Sequence, residues 1–95
     1  MRPVVVSRPA ARDVDRLEDW LMARNPGAAI RAGVLLREAF ASLSTLPERT
    51  IHVDGSEQRQ LVRRFGKGTY VIRYVIRPEA IIVTRVWHSL EDRSG

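Results

Sequence analysis

The sequence predicts an α+β fold, and three observations predict it. A β-branched triplet, Val4-Val5-Val6, opens the chain. Two apolar stripes at helical spacing follow, separated by Asn25-Pro26-Gly27. The last third alternates in β-forming residues between two turn signals, Gly66-Lys67-Gly68 and Pro78-Glu79. The expected architecture is an N-terminal strand and an antiparallel helix hairpin packed on a C-terminal three-stranded antiparallel meander. At 95 residues the chain is read as one domain, residues 1–95.

Each element has a local cause. Val4-Val5-Val6 lies between Pro3 and Ser7-Arg8-Pro9 and reads as a short strand. Ser7 or Arg8 then starts a helix, with Pro9 in its first turn, where a missing N–H costs nothing. Ala11, Val14, Leu17 and Leu21, with Trp20 beside them, form its expected buried stripe. Arg12, Asp13, Asp15, Arg16, Glu18 and Asp19 are assigned to the opposite, solvated face. Pro26 disfavours the α conformation at Asn25, so the helix breaks there. Ala28, Ala32, Leu35, Leu36, Ala39, Phe40 and Leu43 line a second helix that stops by Leu46-Pro47. So short a connection makes the two helices an antiparallel hairpin.

Glu48 to Gln58 is polar, carries Asp54-Gly55 as a turn signal, and reads as an irregular connection. Arg59–Phe65, Tyr70–Arg77 and Ile81–Trp87 read as the three strands of the meander. If the Pro78-Glu79 turn keeps hairpin parity, one face carries Tyr70, Ile72, Tyr74, Ile76, Ile81, Val83, Arg85 and Trp87. The other then carries Val71, Arg73, Val75, Arg77, Ala80, Ile82, Thr84, Val86 and His88. One face must cover the helices; the other should leave an apolar trough interrupted by arginines.

Composition narrows the function. The formal net charge is +5, and of the 16 basic residues 15 are arginine, Lys67 being the only lysine. Arginine recognises carboxylate and phosphate in a planar, bidentate way, so an anionic partner is expected. There is no cysteine, hence no disulfide framework and no thiolate metal site. No apolar run approaches the length of a membrane span, and the N-terminal one is too short for a signal peptide. A cytoplasmic protein without membrane contact is expected. His52 and His88 are the only histidines, and neither belongs to a metal-binding, nucleophile-elbow or phosphate-loop motif, so no metal or other cofactor is expected. Arg59, Arg63, Arg64, Arg73, Arg77 and Arg85 make an arginine-rich strip along the meander.

Several segments together resemble the ParE/RelE toxin superfamily. They are Asn25-Pro26-Gly27-Ala28-Ala29, Arg59-Gln60-Leu61, Gly68-Thr69-Tyr70-Val71-Ile72-Arg73-Tyr74 and Arg85-Val86-Trp87-His88. The last is similar to the terminal strand of the ParE branch. The resemblance implies a toxin of a type II toxin–antitoxin pair, neutralised in a hetero-oligomer by an acidic, ParD-like antitoxin with a ribbon-helix-helix N-terminus. In the ParE branch it implies inhibition of DNA gyrase by binding, with no catalytic residues. The alternatives are a RelE-like ribosome-dependent messenger endoribonuclease and a general nucleic-acid-binding module. RelE-type nucleases usually carry arginine where this chain has Val71, and beyond the last strand a basic residue and then a tyrosine, where this chain has Ser89-Leu90-Glu91-Asp92-Arg93-Ser94-Gly95, with acids and no tyrosine. ParE-type chains often have glycine at the position of Ser89.

On this reading Arg63, Arg64, Arg73, Arg85, Trp87 and His88 contact the target. Leu17, Trp20, Leu21, Leu36, Phe40, Tyr74 and Arg77 contact the antitoxin.

Overall fold

The computed structural model describes residues 1–45, 47–53 and 55–91. Leu46, Asp54 and Asp92 to Gly95, read above in a helix stop, a turn and the tail, lie outside the described residues. The order is β1 (Val4–Val6), α1 (Arg8–Arg24), α2 (Pro26–Leu43), a 3-10 turn (Pro47–Arg49), β2 (Ile51–His52), β3 (Arg59–Phe65), β4 (Gly68–Ile76) and β5 (Ile81–His88). The helix hairpin and the C-terminal meander are as expected.

Both helix starts are built by side-chain caps. The Ser7 hydroxyl accepts the Ala10 N–H at 3.3 Å, and the Asn25 side chain accepts the Ala28 N–H at 3.1 Å. Asn25 also donates its backbone N–H to Leu21 O, so one residue ends α1 and starts α2. Each cap satisfies a donor that would otherwise be orphaned, worth about 1 kcal/mol.

The sheet has five strands in the order β1-β5-β4-β3-β2. β1 lies parallel to β5, and the remaining pairs are antiparallel. The connection read as irregular therefore contributes an edge strand, Ile51–His52, paired to Gln60 and Arg59. Two residues sandwiched between turns carry too little alternation to signal a strand.

One face of the sheet takes both helices. Leu36, Leu43, Ile72, Tyr74, Ile81, Val83 and Val86 are essentially sealed between the layers. Each such aliphatic side chain contributes roughly 1.5–3 kcal/mol of transfer free energy before entropy is subtracted. Along α1, Leu17 is buried and Val14 and Leu21 are half-buried against the core as expected, but Ala10 and Asp13 are also buried and Ala11 is exposed.

The parity assumed at the Pro78-Glu79 turn holds as far as Val83 and fails beyond it. Tyr74 pairs with Val83 but Arg73 pairs with Arg85, so Thr84 is an extra residue in a β-bulge. Beyond it the faces exchange. Val86 enters the core, and His88 packs edge-on against Tyr70 with ring centroids 5.0 Å apart. Trp87 turns to the opposite face, where the Arg73 guanidinium lies 4.9 Å above its ring.

The sheet's outer face is not the open trough expected of it. Val71 and Val75 are each only 7% exposed. Arg73 bonds Gln60 and stacks on Trp87. The Thr84 hydroxyl donates to Gln58 Oε1 at 2.9 Å. These polar side chains bridge much of the face, while Val62, the cross-strand neighbour of Val71, stays exposed.

Candidate functional site

An apolar hollow lies between α1 and the β3–β4 turn. A cleft of about 520 Å³ opens there, walled by Leu17, Trp20, Leu21, Phe65, Tyr70 and Leu90. Arg16, Lys67, His88 and Glu91 also line it. A second hollow shares Trp20, Leu21, Phe65 and Gly66 with it, and is bordered by Arg24, Arg31 and Arg64. Trp20 is 57% exposed, a large apolar area for a single side chain. The Arg24 guanidinium sits 4.1 Å above its ring and fixes its orientation.

The cleft's floor is the end of β5, and α1 holds that end through side chains. β1 stops at Val6, so β5 has no strand partner beyond Val83 on that edge. Asp13 and Arg16 take the partner's place. Asp13 Oδ2 accepts the Val86 N–H at 2.8 Å, and Arg16 Nη2 donates to the Val86 carbonyl at 3.3 Å. Asp13 also accepts from Arg85 Nε and Nη2, at 2.8 and 3.1 Å, and from Arg16 Nη1 at 2.6 Å. Arg16 grips Glu91 at 2.9 and 3.2 Å, and Glu91 accepts the His88 N–H at 2.9 Å.

Burial opposes the charge on Asp13, but the hydrogen bonds from Arg85, Arg16 and the Val86 N–H outweigh it and hold its pKa below the usual carboxylate value. Glu91 is depressed in the same way: desolvation is overcome by Arg16 and the His88 N–H. Asp13 had been assigned to the solvated face of α1. The signal that places it inside is spacing, since it lies three residues after Ala10 and four before Leu17.

His88 is consumed by structure. Its Nε2 lies 2.9 Å from the Phe65 carbonyl, which can only accept, so Nε2 carries the proton. Its Nδ1 accepts the Leu90 N–H at 3.2 Å. Ser89 exchanges two bonds with Thr69: its N–H donates to Thr69 O and its Oγ accepts the Thr69 N–H. Tyr70 is 2% exposed between Phe65 and His88. Burial, together with the fields of Glu91 and Glu18, pushes its phenol pKa up to about 12.

The residues expected to contact a target do not converge. Arg73 and Trp87 cover the outer sheet face, Arg85 is tied to Asp13 at the β5 edge, and half-buried Arg63 donates to Val62 O. Arg64 and His88 belong to the two hollows. Of the residues expected to contact an antitoxin, Leu17, Trp20 and Leu21 line the cleft together. Leu36 and Tyr74 are sealed in the core, the Tyr74 hydroxyl bonded to Pro47 O and Thr50, so they offer no surface. Phe40 is half-buried against the core, and Arg77 pairs with Glu57 at 2.8 Å. Sequence reasoning missed Asp13, Arg16, Tyr70 and Glu91.

Among the described residues no group of His, Asp or Glu could hold a metal ion, and no helix is long and apolar enough to cross a membrane.

Solved structures of toxin–antitoxin systems share this fold. The fold is similar to a chain of the chromosomal ParDE toxin–antitoxin system from Pseudomonas aeruginosa, with a TM-score of 0.76 and 18% identity, covering 93% of this chain and 96% of that one. It is also similar to a chain of the toxin–antitoxin complex RelBE2 from Mycobacterium tuberculosis, with a TM-score of 0.60 and 22% identity, covering 95% of this chain and 93% of that one. The chain belongs to the ParE toxin family of type II toxin–antitoxin systems, whose model matches residues 4–93. Two relatives from Caulobacter vibrioides are Toxin RelE1, 46% identical over 95% of this chain and 96% of its own, and Toxin RelE3, 36% identical over 98% and 100%.

Proposed function

We propose that the chain acts by binding, as an inhibitor of DNA gyrase, and that an acidic ParD-like antitoxin with a ribbon-helix-helix N-terminus neutralises it by covering the cleft in a hetero-oligomer. The observation that carries the non-catalytic reading is the state of the acid–base groups at the β5 end. Both ring nitrogens of His88 are engaged. The Tyr70 phenol is too weak an acid to give up its proton near neutrality. Asp13 and Glu91 are locked in ion pairs with Arg16 and Arg85. RNA cleavage through its 2′-hydroxyl needs a group free to take a proton, and none of these is free.

The cationic surface supports both partners. Arg24, Arg31, Arg64 and Lys67 border the hollows without an ion pair among the described residues, a surface suited to an acidic polypeptide. Arg73 stacked on Trp87 offers gyrase, or its bound DNA, a flat cationic platform on the outer face.

The names of the Caulobacter relatives keep a second reading in view, a RelE-like ribonuclease working through Arg63, Arg64, Arg73, Arg85 and His88. Induction of the chain in cells carrying a reporter plasmid separates the two. Gyrase inhibition relaxes the plasmid and leaves transcripts intact; a ribonuclease cuts transcripts and leaves plasmid topology alone.

A further inference from the structure

The sheet itself is wholly cationic. Its strands contribute Arg59, Arg63, Arg64, Arg73 and Arg85 and not one aspartate or glutamate. Two of these arginines are answered from elsewhere in the chain. Arg59 donates to the Glu48 and Thr50 carbonyls, and Arg85 pairs with Asp13 of α1. Arg73, in the middle of the outer face, pairs with no carboxylate among the described residues. Its Nε donates to the neutral Gln60 side chain at 3.3 Å, and its guanidinium lies over the Trp87 ring. The group is half-buried, held from two sides, and uncompensated. By strand alternation Arg64 starts from the same face of β3 as Gln60 and Val62, at an exposed position.

We infer that this face docks on the phosphodiester backbone of the DNA held by gyrase, so that the chain engages the enzyme in its DNA-bound state. The inference rests on the gyrase reading and specifies which component of that target the outer face meets. A protein docking patch needs apolar anchors that lose water on contact. Here Val71 and Val75 are already covered, and of the hydrophobic side chains on β3, β4 and β5 only Val62 is exposed. One face of the Trp87 ring lies under Arg73. A row of phosphates asks for the reverse: oriented cations on a flat polar surface with no acids among them. About two or three such contacts hold naked DNA only weakly at physiological salt. The combined surface of enzyme and DNA is therefore the target, and free DNA is not.

Fluorescence anisotropy of the labelled full chain tests this, with gyrase alone, gyrase loaded with a linear duplex, and the duplex alone as probes. Wild type should bind the loaded enzyme about ten-fold or more tightly than the bare one. That affinity should fall with salt at a log–log slope of about −2 to −3. Arg73→Gln keeps most of the bulk and removes the charge. With an unchanged circular dichroism spectrum, it should cost about ten-fold in affinity for the loaded enzyme. Arg64→Gln, at an exposed position, should lower the salt slope by about one. Equal binding to bare and loaded gyrase, indifferent to both substitutions, overturns the DNA contact and leaves gyrase inhibition standing. Binding to the duplex through Arg73 with supercoiling untouched supports the surface and overturns the gyrase reading. A single-stranded RNA that displaces the duplex through Arg73 overturns the choice of nucleic acid.

Discussion

Asp13 shows why a carboxylate can be kept inside so small a core. It is 2% exposed, yet both of its oxygens are filled by the Val86 N–H and two guanidinium groups. Arg16 and Arg85 are about half exposed, so each ion pair is partly screened and modest in itself. The larger consequence is what Asp13→Ala would orphan: a buried strand N–H and two oriented guanidiniums. That substitution should cost about 2–3 kcal/mol by urea unfolding. A cost near zero would mean that water satisfies the Val86 N–H. The pH dependence has a definite sign. The folded pKa of Asp13 lies below its unfolded value, so its contribution is complete above the unfolded value and is lost as pH falls through the folded one. Glu91 acts in the same direction. The melting temperature should therefore drop below about pH 4, and Asp13→Asn should flatten that drop.

The hydrogen bonds of His88 fix the Nε2–H tautomer, which nitrogen chemical shifts at neutral pH would report directly. A mixed or Nδ1–H tautomer would contradict the bonding described and reopen an acid–base role for the ring.

Among the elements, the β3–β4 hairpin and the turn after β5 form one unit. Gly66 has φ +64° at the first position of a two-residue turn, where a side chain is strained. Gly66→Ala should cost about 1 kcal/mol, since nothing else crowds the position. Gly68 is different. A Cβ there would lie 2.4 Å from Ser89 Oγ, 2.7 Å from His88 Cε1 and 3.1 Å from Leu90 Cγ. Neither Ser89 nor His88 can give way alone, because they are held by Thr69 and Phe65. Gly68→Ala should cost more than Gly66→Ala in thermal unfolding and shift the His88 ring resonances; equal costs would show that the turn after β5 is only loosely held.

The elements also show what the sequence made legible. Proline placement, the Asn25 break and strong alternation announced both helices and the meander, because those signals are local. The β5 bulge was not legible. One extra residue, Thr84, exchanges the faces of everything after it, and no residue at that point advertises the insertion. The inward position of Asp13 could be read from helical spacing but was masked by its charge. The cleft was only partly legible. Leu17, Trp20 and Leu21 were recognised as a group, whereas Tyr70, Lys67 and Leu90 join them through a packing of α1 on the hairpin that spacing does not encode.

For the whole molecule, charge and shape divide the labour. Arg16, Arg77 and Arg85 are spent on internal carboxylates, and Arg59 on the carbonyls of Glu48 and Thr50. Arg24, Arg31, Arg64 and Lys67 are left at the hollows and Arg73 on the outer face, part of the surplus behind the charge of +5. Partner binding should therefore weaken as salt rises, yet keep the apolar part contributed by the cleft.

Under the proposed function the chain inhibits by occupying gyrase rather than by turning over a substrate. Supercoiling by purified gyrase, measured as the chain is added stepwise, tests it most directly. The account predicts loss of supercoiling in proportion to the chain bound, reversed when the acidic partner is added afterwards. Undiminished supercoiling at a large molar excess of folded chain would contradict it.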